Sequence, residues 1–209
     1  MNERRYAVAV DGPSGAGKST LAKAAAERLG ILYVDTGAIY RTIGLYVQRR
    51  GIDPQDTAAV LAALPDIHIA MAHDGDGLQR MLLNGEDVSA DIRLPEISMQ
   101  RSLARAHSVI MDGRDIGTVV LPDADVKIFL YADVEVRAKR RELELQQRGT
   151  PKPYAEVLRE MEERDYNDTH RAAAPLRAAD DAIMVDTSSM DFNASLELLL
   201  DVIRGSVSN

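Results

Sequence analysis

The chain has 209 residues, enough for one domain carrying an insertion or for two small ones. Its 25 Lys and Arg against 33 Asp and Glu leave a net charge of −8, which argues against a broad polyanion-binding face but leaves room for a local basic pocket. No cysteine is present, which excludes disulfides, thiolate zinc sites and cysteine nucleophiles, and the absence of Trp argues against an aromatic platform for single-stranded nucleic acid.

The first predicted element is a strand over Tyr6–Asp11, a short apolar run. It leads into Gly12-Pro13-Ser14-Gly15-Ala16-Gly17-Lys18-Ser19, followed by Thr20, and a helix to Leu29 stopped by Gly30. This is G-x-x-x-x-G-K-[ST] in a strand–loop–helix setting. Such a loop turns successive N–H groups inward as an anion nest, and the helix behind it adds its positive dipole end. Lys18 is expected to reach the β- and γ-phosphates of a nucleoside triphosphate, and the Ser19 hydroxyl to ligate Mg²⁺.

Ile31–Asp35 reads as a strand buried on both faces, followed by a helix over about 38–50 that Gly51 ends. Asp53-Pro54 reads as an N-cap and a proline at N1, opening a helix to about Leu64. The alternation Ile67, Ile69, Met71 and the run Leu78–Leu83 then predict a hairpin, with a tight turn at Asn84-Gly85. A helix is expected from Pro95 to about His107, then strands over 108–112, 126–131 and 182–186. Helices are expected over 133–147, stopped by Gly149, over 153–167, and after an Asp191 cap, where Leu196, Leu199, Leu200 and Ile203 repeat at helical spacing.

Strands alternating with helices predict an α/β fold with a parallel five-stranded sheet flanked by helices. The antiparallel piece reads as an insertion at 54–96. The P-loop core is then 1–53 with 97–209, and a helical lid spans about 133–170. No run approaches 18 apolar residues, so no membrane-spanning helix is expected, and no signal peptide is evident at the N-terminus. A soluble, cytoplasmic protein with no membrane or nucleic-acid polymer as partner, acting as a monomer, is the expectation.

Three further groups carry candidate chemistry, the first two at the carboxyl ends of strands, where open α/β sheets bind ligands. In Asp35-Thr36-Gly37-Ala38-Ile39-Tyr40-Arg41 a helix start and an arginine one turn on could hold a second phosphate; equally, Asp35-Thr36 could only cap the helix. Asp112 ends an apolar strand where an acid near Mg²⁺ would sit, with Arg114 at the ligand edge and Asp115 able to accept from an exocyclic amine. Arg137, Arg140 and Arg141 share one helix face, with Arg148, Arg159, Arg164 and Arg171 beyond. As a cluster they suit a lid that neutralises charge in phosphoryl transfer; singly, each could pair with a surface glutamate. His68, His73, His107 and His170 lack metal-ligand spacing, and Met81, Met99 and Met111 read as core.

With these residues in hand the chain resembles the bacterial cytidylate kinases of the nucleoside-monophosphate kinase family. The matching stretches are Asp11–Lys18, Asp35–Arg41, Asp112–Val120, Pro122-Asp123-Ala124, and Arg164–Asp168 with Arg171 and Ala174-Pro175-Leu176. The resemblance implies transfer of the γ-phosphoryl group of ATP to CMP or dCMP, with Mg²⁺. It places Thr36, Arg41 and Arg114 on the acceptor phosphate and Arg171 near the transferring group. Tyr40, Arg164 and Asp168 would face the acceptor sugar, and Asp115 the cytosine. Lys18, Arg114 and Arg171 would be the catalytic set, and Arg140 would join the phosphate loop in holding ATP. The alternatives are a P-loop kinase for UMP, AMP or another small molecule, or a nucleotide-binding module without transfer; no N-K-x-D guanine reader is present. One departure stands out. The family carries a longer helical stretch, with a Ser and an Arg for the base, where this chain passes straight from Met99 to Gln100.

Overall fold

The computed structural model describes residues 5–54, 56–73, 79–89, 104, 107–172 and 174–207. The chain divides into two compact units, one of Met1–Tyr33 with Leu103–Asn209 and one of Val34–Ser102.

The first unit is built on parallel strands. β1 (Ala7–Asp11) lies centrally and is buried along its whole length, which is why its sequence is apolar without alternation. Val8 stands in register with Ile110 of β6 (Val109–Asp112) on one side and with Val126 of β7 (Val126–Tyr131) on the other. β2 (Leu32–Asp35) and β8 (Ile183–Asp186) close the five-stranded sheet, in the order β2-β6-β1-β7-β8. α1 (Lys18–Leu29) packs through Leu21 and through the small Ala22, Ala25 and Ala26, which let the helix approach the sheet. α6 (Phe192–Val207) adds Leu196, Leu199, Leu200 and Ile203 to the same core. Burying a leucine of this kind stabilises by about 1.5–3 kcal/mol.

Element ends follow the expected chemistry. Gly30 takes φ 66°, and the Ile31 N–H reaches back to the Ala26 carbonyl, closing α1. The Asp191 carboxylate accepts from the Ala194 N–H at 2.8 Å and starts α6. α4 (Val134–Gln147) and α5 (Tyr154–His170) form a hairpin around Ala138, Val157 and Met161, with Gly149 at φ 73° between them. α5 runs to His170 rather than Asn167; its last turn is held by the Thr169 hydroxyl on the Asp165 carbonyl and by Tyr166 stacked on His170.

The second unit holds α2 (Gly37–Arg49), α3 (Thr57–Ala63) and an antiparallel sheet of β3 (Ile69–His73), β4 (Gln79–Leu83) and β5 (Glu86–Asp87). Its core gathers Ala38, Tyr46, Ala63, Ile67, Met81, Leu83 and Val88. Asn84 and Gly85 both take positive φ, 50° and 87°, the two-residue turn expected of that dipeptide.

The start of α3 corrects the sequence reading. Asp53-Pro54 does not open the helix but forms a turn, in which the Asp56 N–H donates to the Asp53 carbonyl. Asp56 is the cap, accepting from the Ala59 N–H at 3.0 Å. The first hairpin strand also begins two residues later than expected, at Ile69. The helix expected from Pro95 and the Met99–Gln100 junction lie almost wholly outside the described residues.

Candidate functional site

The candidate site of the first unit begins where β1 ends. Gly12 has φ 146°, and a Cβ there would stand 1.9 Å from the Leu130 carbonyl oxygen, so only glycine lets the loop leave β1 beside β7. Gly15 and Gly17 also take positive φ, 75° and 88°. The loop enters α1 with no side-chain cap on the helix, which leaves its first N–H groups for a ligand.

Lys18 is buried, and its ammonium donates to the Pro13 carbonyl at 2.8 Å. Burial pushes its pKa down to about 7, and the nearby Arg114 cation adds to the drop; Asp112, Asp11 and Asp168 oppose it. The Ser19 hydroxyl donates to Asp112 Oδ2 at 2.7 Å, and the Tyr33 hydroxyl donates to Asp112 Oδ1 at 2.8 Å. A serine hydroxyl and a carboxylate side by side are hard oxygen donors of the kind Mg²⁺ takes alongside phosphate oxygens. Pro13 and Ser14 are half-buried, Ala16 is buried, and Thr20 is exposed at the start of α1.

Asp11 was missed as a functional residue in the sequence. Its two carboxylate oxygens accept from the N–H groups of Ile116 at 2.8 Å and Gly117 at 2.7 Å. These bonds seat a wide helical turn over Ile116–Val120, in which the Val120 N–H reaches the Asp115 carbonyl. Burial raises the Asp11 pKa to about 6, against the pull of those two bonds.

Past β6, Arg114 Nε donates to Asp168 Oδ2 of α5 at 2.7 Å. Asp115 is nearly inaccessible, and burial pushes its pKa up, partly countered by Arg171. Arg171 Nη2 lies 3.8 Å from Asp115 Oδ1, buried and without a hydrogen-bond partner, while its Nε donates to the Ala174 carbonyl at 2.6 Å. Ala174 takes φ 48°, uncommon for a residue with a side chain, and so turns the chain after Arg171. The structure therefore brings together Lys18, Ser19, Asp112, Arg114, Asp115, Asp168 and Arg171 in one unit.

Arg164 is exposed on α5, one turn before Asp168. Arg140 donates to the carbonyls of Thr187 at 2.7 Å and Met190 at 3.2 Å. Arg141 and Arg148 both pair with Glu144 on the surface, whereas Arg137 is buried. In the second unit Thr36 is buried at the start of α2, and Asp35 accepts from the Ala38 N–H at 2.9 Å, the helix-capping role. Tyr40 and Arg41 follow in α2; their side chains lie outside the described residues.

The family model described as cytidylate kinase matches residues 8–104 and 97–205. A cytidylate kinase of Caldicellulosiruptor bescii is 44% identical, covering 99% of this chain and 99% of its own length. One of Lactobacillus johnsonii is 43% identical over 97% of this chain and 95% of its own. The C. bescii match runs over 226 aligned positions against 209 residues here, so at least 17 of them (226 − 209) have no residue in this chain. Among solved structures, a gluconokinase from Sinorhizobium meliloti (TM-score 0.50, 16% identity, 98% of this chain and 97% of that one) shares the fold. So does an uncharacterized protein from Eubacterium ventriosum (TM-score 0.54, 14% identity, 98% and 100%). With a phosphate loop, an acid at the end of β6 and a full-length match to these enzymes, the chain belongs to the cytidylate kinase family.

Proposed function

We infer that the protein transfers the γ-phosphoryl group of ATP to CMP or dCMP, giving the nucleoside diphosphate and ADP. The observation that carries this reading is the grouping of Lys18, Ser19 and Asp112 with Arg114, Asp115 and Arg171 at the carboxyl ends of β1 and β6. One set suits a triphosphate and the other an anionic acceptor with an amino-bearing base.

In this reading an oxygen of the acceptor phosphate attacks the γ-phosphorus, the bond to the β-phosphate oxygen breaks, and ADP leaves. No covalent intermediate is needed, so catalysis is positioning and charge stabilisation. The loop Gly12–Thr20 and Lys18 hold the donor phosphates, and Arg140 completes the ATP contacts. Ser19 and Asp112 would hold Mg²⁺, which screens charge on the phosphates. Arg114 and Arg171 act on the acceptor phosphate and the transferring group, Arg164 and Asp168 on the sugar, and Asp115 on the cytosine amine. Thr36, Tyr40 and Arg41 are further acceptor ligands on this reading, residues 54–96 an inserted monophosphate-binding subdomain, and residues 133–170 a lid. The Arg114–Asp168 bond holds two of these groups against each other. ³¹P NMR of the protein with ATP, CMP and Mg²⁺ tests the reaction: β-phosphate signals of both CDP and ADP are expected, and ADP without CDP would refute the transfer.

A further inference from the structure

Arg137 is unlike the other arginines of its helix. Its side chain is 5% exposed, and all three guanidinium nitrogens are engaged. Nε donates to the Ala132 carbonyl at 2.8 Å, just past β7. Nη1 donates to the Ser14 carbonyl at 2.8 Å, inside the phosphate loop. Nη1 and Nη2 also grip the Asp165 carboxylate of α5, at 3.2 and 2.6 Å, in the two-pronged geometry that fixes a guanidinium plane. One side chain thus ties the phosphate loop, the end of β7 and α5 together. Gly15 lies against the same wall: a Cβ there would stand 2.6 Å from Met161 Cε and 3.6 Å from Arg137 Cβ.

The bond to Ser14 bears directly on phosphate binding. The Ser14 carbonyl and the Gly15 N–H belong to one planar trans peptide and point in opposite directions. Holding the carbonyl outward therefore holds the Gly15 N–H inward, as an anion nest requires. An aliphatic side chain at 137 would leave that carbonyl half-buried without its charged donor, and the peptide would be free to rotate.

We propose that Arg137, clamped by Asp165, is a positioning residue of the donor site: it does not touch the phosphates but fixes the loop amide that does. This rests on the kinase reading above for the identity of the donor. Asp165 acts through Arg137, so its effect is contained within that of Arg137.

The test measures ATP affinity by calorimetry, KM for CMP, kcat and thermal midpoint for Arg137→Met, Arg137→Lys, Asp165→Asn and the double variant Arg137→Met/Asp165→Asn. Loss of a charge-assisted bond predicts about 30-fold weaker ATP binding for Arg137→Met and about fivefold for Asp165→Asn, with KM for CMP within about twofold. Lysine, with its single ammonium, recovers part of the loss, and the double variant matches Arg137→Met alone. ATP affinity within about twofold of wild type in Arg137→Met overturns the proposal, as does equal weakening of ATP and CMP in step with the thermal midpoint. If Arg137→Met does not fold, Asp165→Asn decides: unchanged ATP affinity overturns the proposal. Wild-type protein that binds ATP but does not phosphorylate CMP would refute the kinase reading and leave this comparison standing.

Discussion

Lys18 carries two demands that conflict in the free protein. It must be buried to meet phosphates in a water-poor loop, yet burial disfavours its charge and brings its pKa to about 7, while its ammonium rests on the Pro13 carbonyl. A bound triphosphate favours the charged form. Nucleotide binding at pH 8 should therefore take up close to one proton, because a group with a pKa near 7 is mostly neutral there. Below about pH 6 the lysine already holds its proton, so that uptake should vanish. Calorimetry of ATP binding in buffers of different ionisation enthalpy reads this directly, and equal uptake in the Lys18→Met variant would show that the proton goes elsewhere. At this scale the sequence is informative wherever the signal is local: the loop glycines, Lys18 and Ser19 stand out by motif spacing, and Asp112 by its place at the end of an apolar run. Asp11 and Arg137 do not. Their partners lie about 105 and 123 residues away in the chain, and nothing local distinguishes an aspartate that seats a turn from one that ends a strand.

Elements were legible in proportion to how local their causes are. β7 ends where its apolar run ends, and Gly30, Gly149 and Asn84-Gly85 act through their own backbone preferences. α3 was displaced because a proline after an acid suits a tight turn as well as a helix start, and Asp56 three residues on is the better-placed cap. The turn at Ile116–Val120 had no local signal because Asp11 sets it from β1. The four leucine-type positions of α6 are the clearest case of periodicity becoming core: Leu199, Leu200 and Ile203 have no solvent exposure. Leu200→Ala should cost about 2–5 kcal/mol of stability, since the rigid sheet below cannot collapse into the space. Urea unfolding followed by circular dichroism checks this; a loss below 1 kcal/mol would mean that α6 contributes little to the core. Leu200 is not among the residues proposed to hold ATP, so KM for ATP in the folded variant should stay within about twofold of wild type.

For the whole molecule, the strand order β2-β6-β1-β7-β8 is what gathers the chemistry. It sets β1 between β6 and β7, so the phosphate loop leaves the sheet beside the Asp112–Asp115 turn. On the proposed reading, a chain with net charge −8 binds anions through a few local cations rather than through a general field. The fold class and the family were both readable from the sequence, because the motifs that carry them, most of them at strand ends, are spread along the entire chain. The family resemblance places a base-contacting stretch where this chain passes straight from Met99 to Gln100, so the choice of base is a separate question from the reaction. Reaction and base choice are separated most directly by steady-state ADP release with CMP, dCMP, UMP and AMP as acceptors. Turnover with CMP or dCMP at least about tenfold above UMP and AMP is the predicted result, a discrimination of the size one satisfied buried polar contact supplies. ADP release that does not depend on any monophosphate, or that favours AMP or UMP, would contradict it.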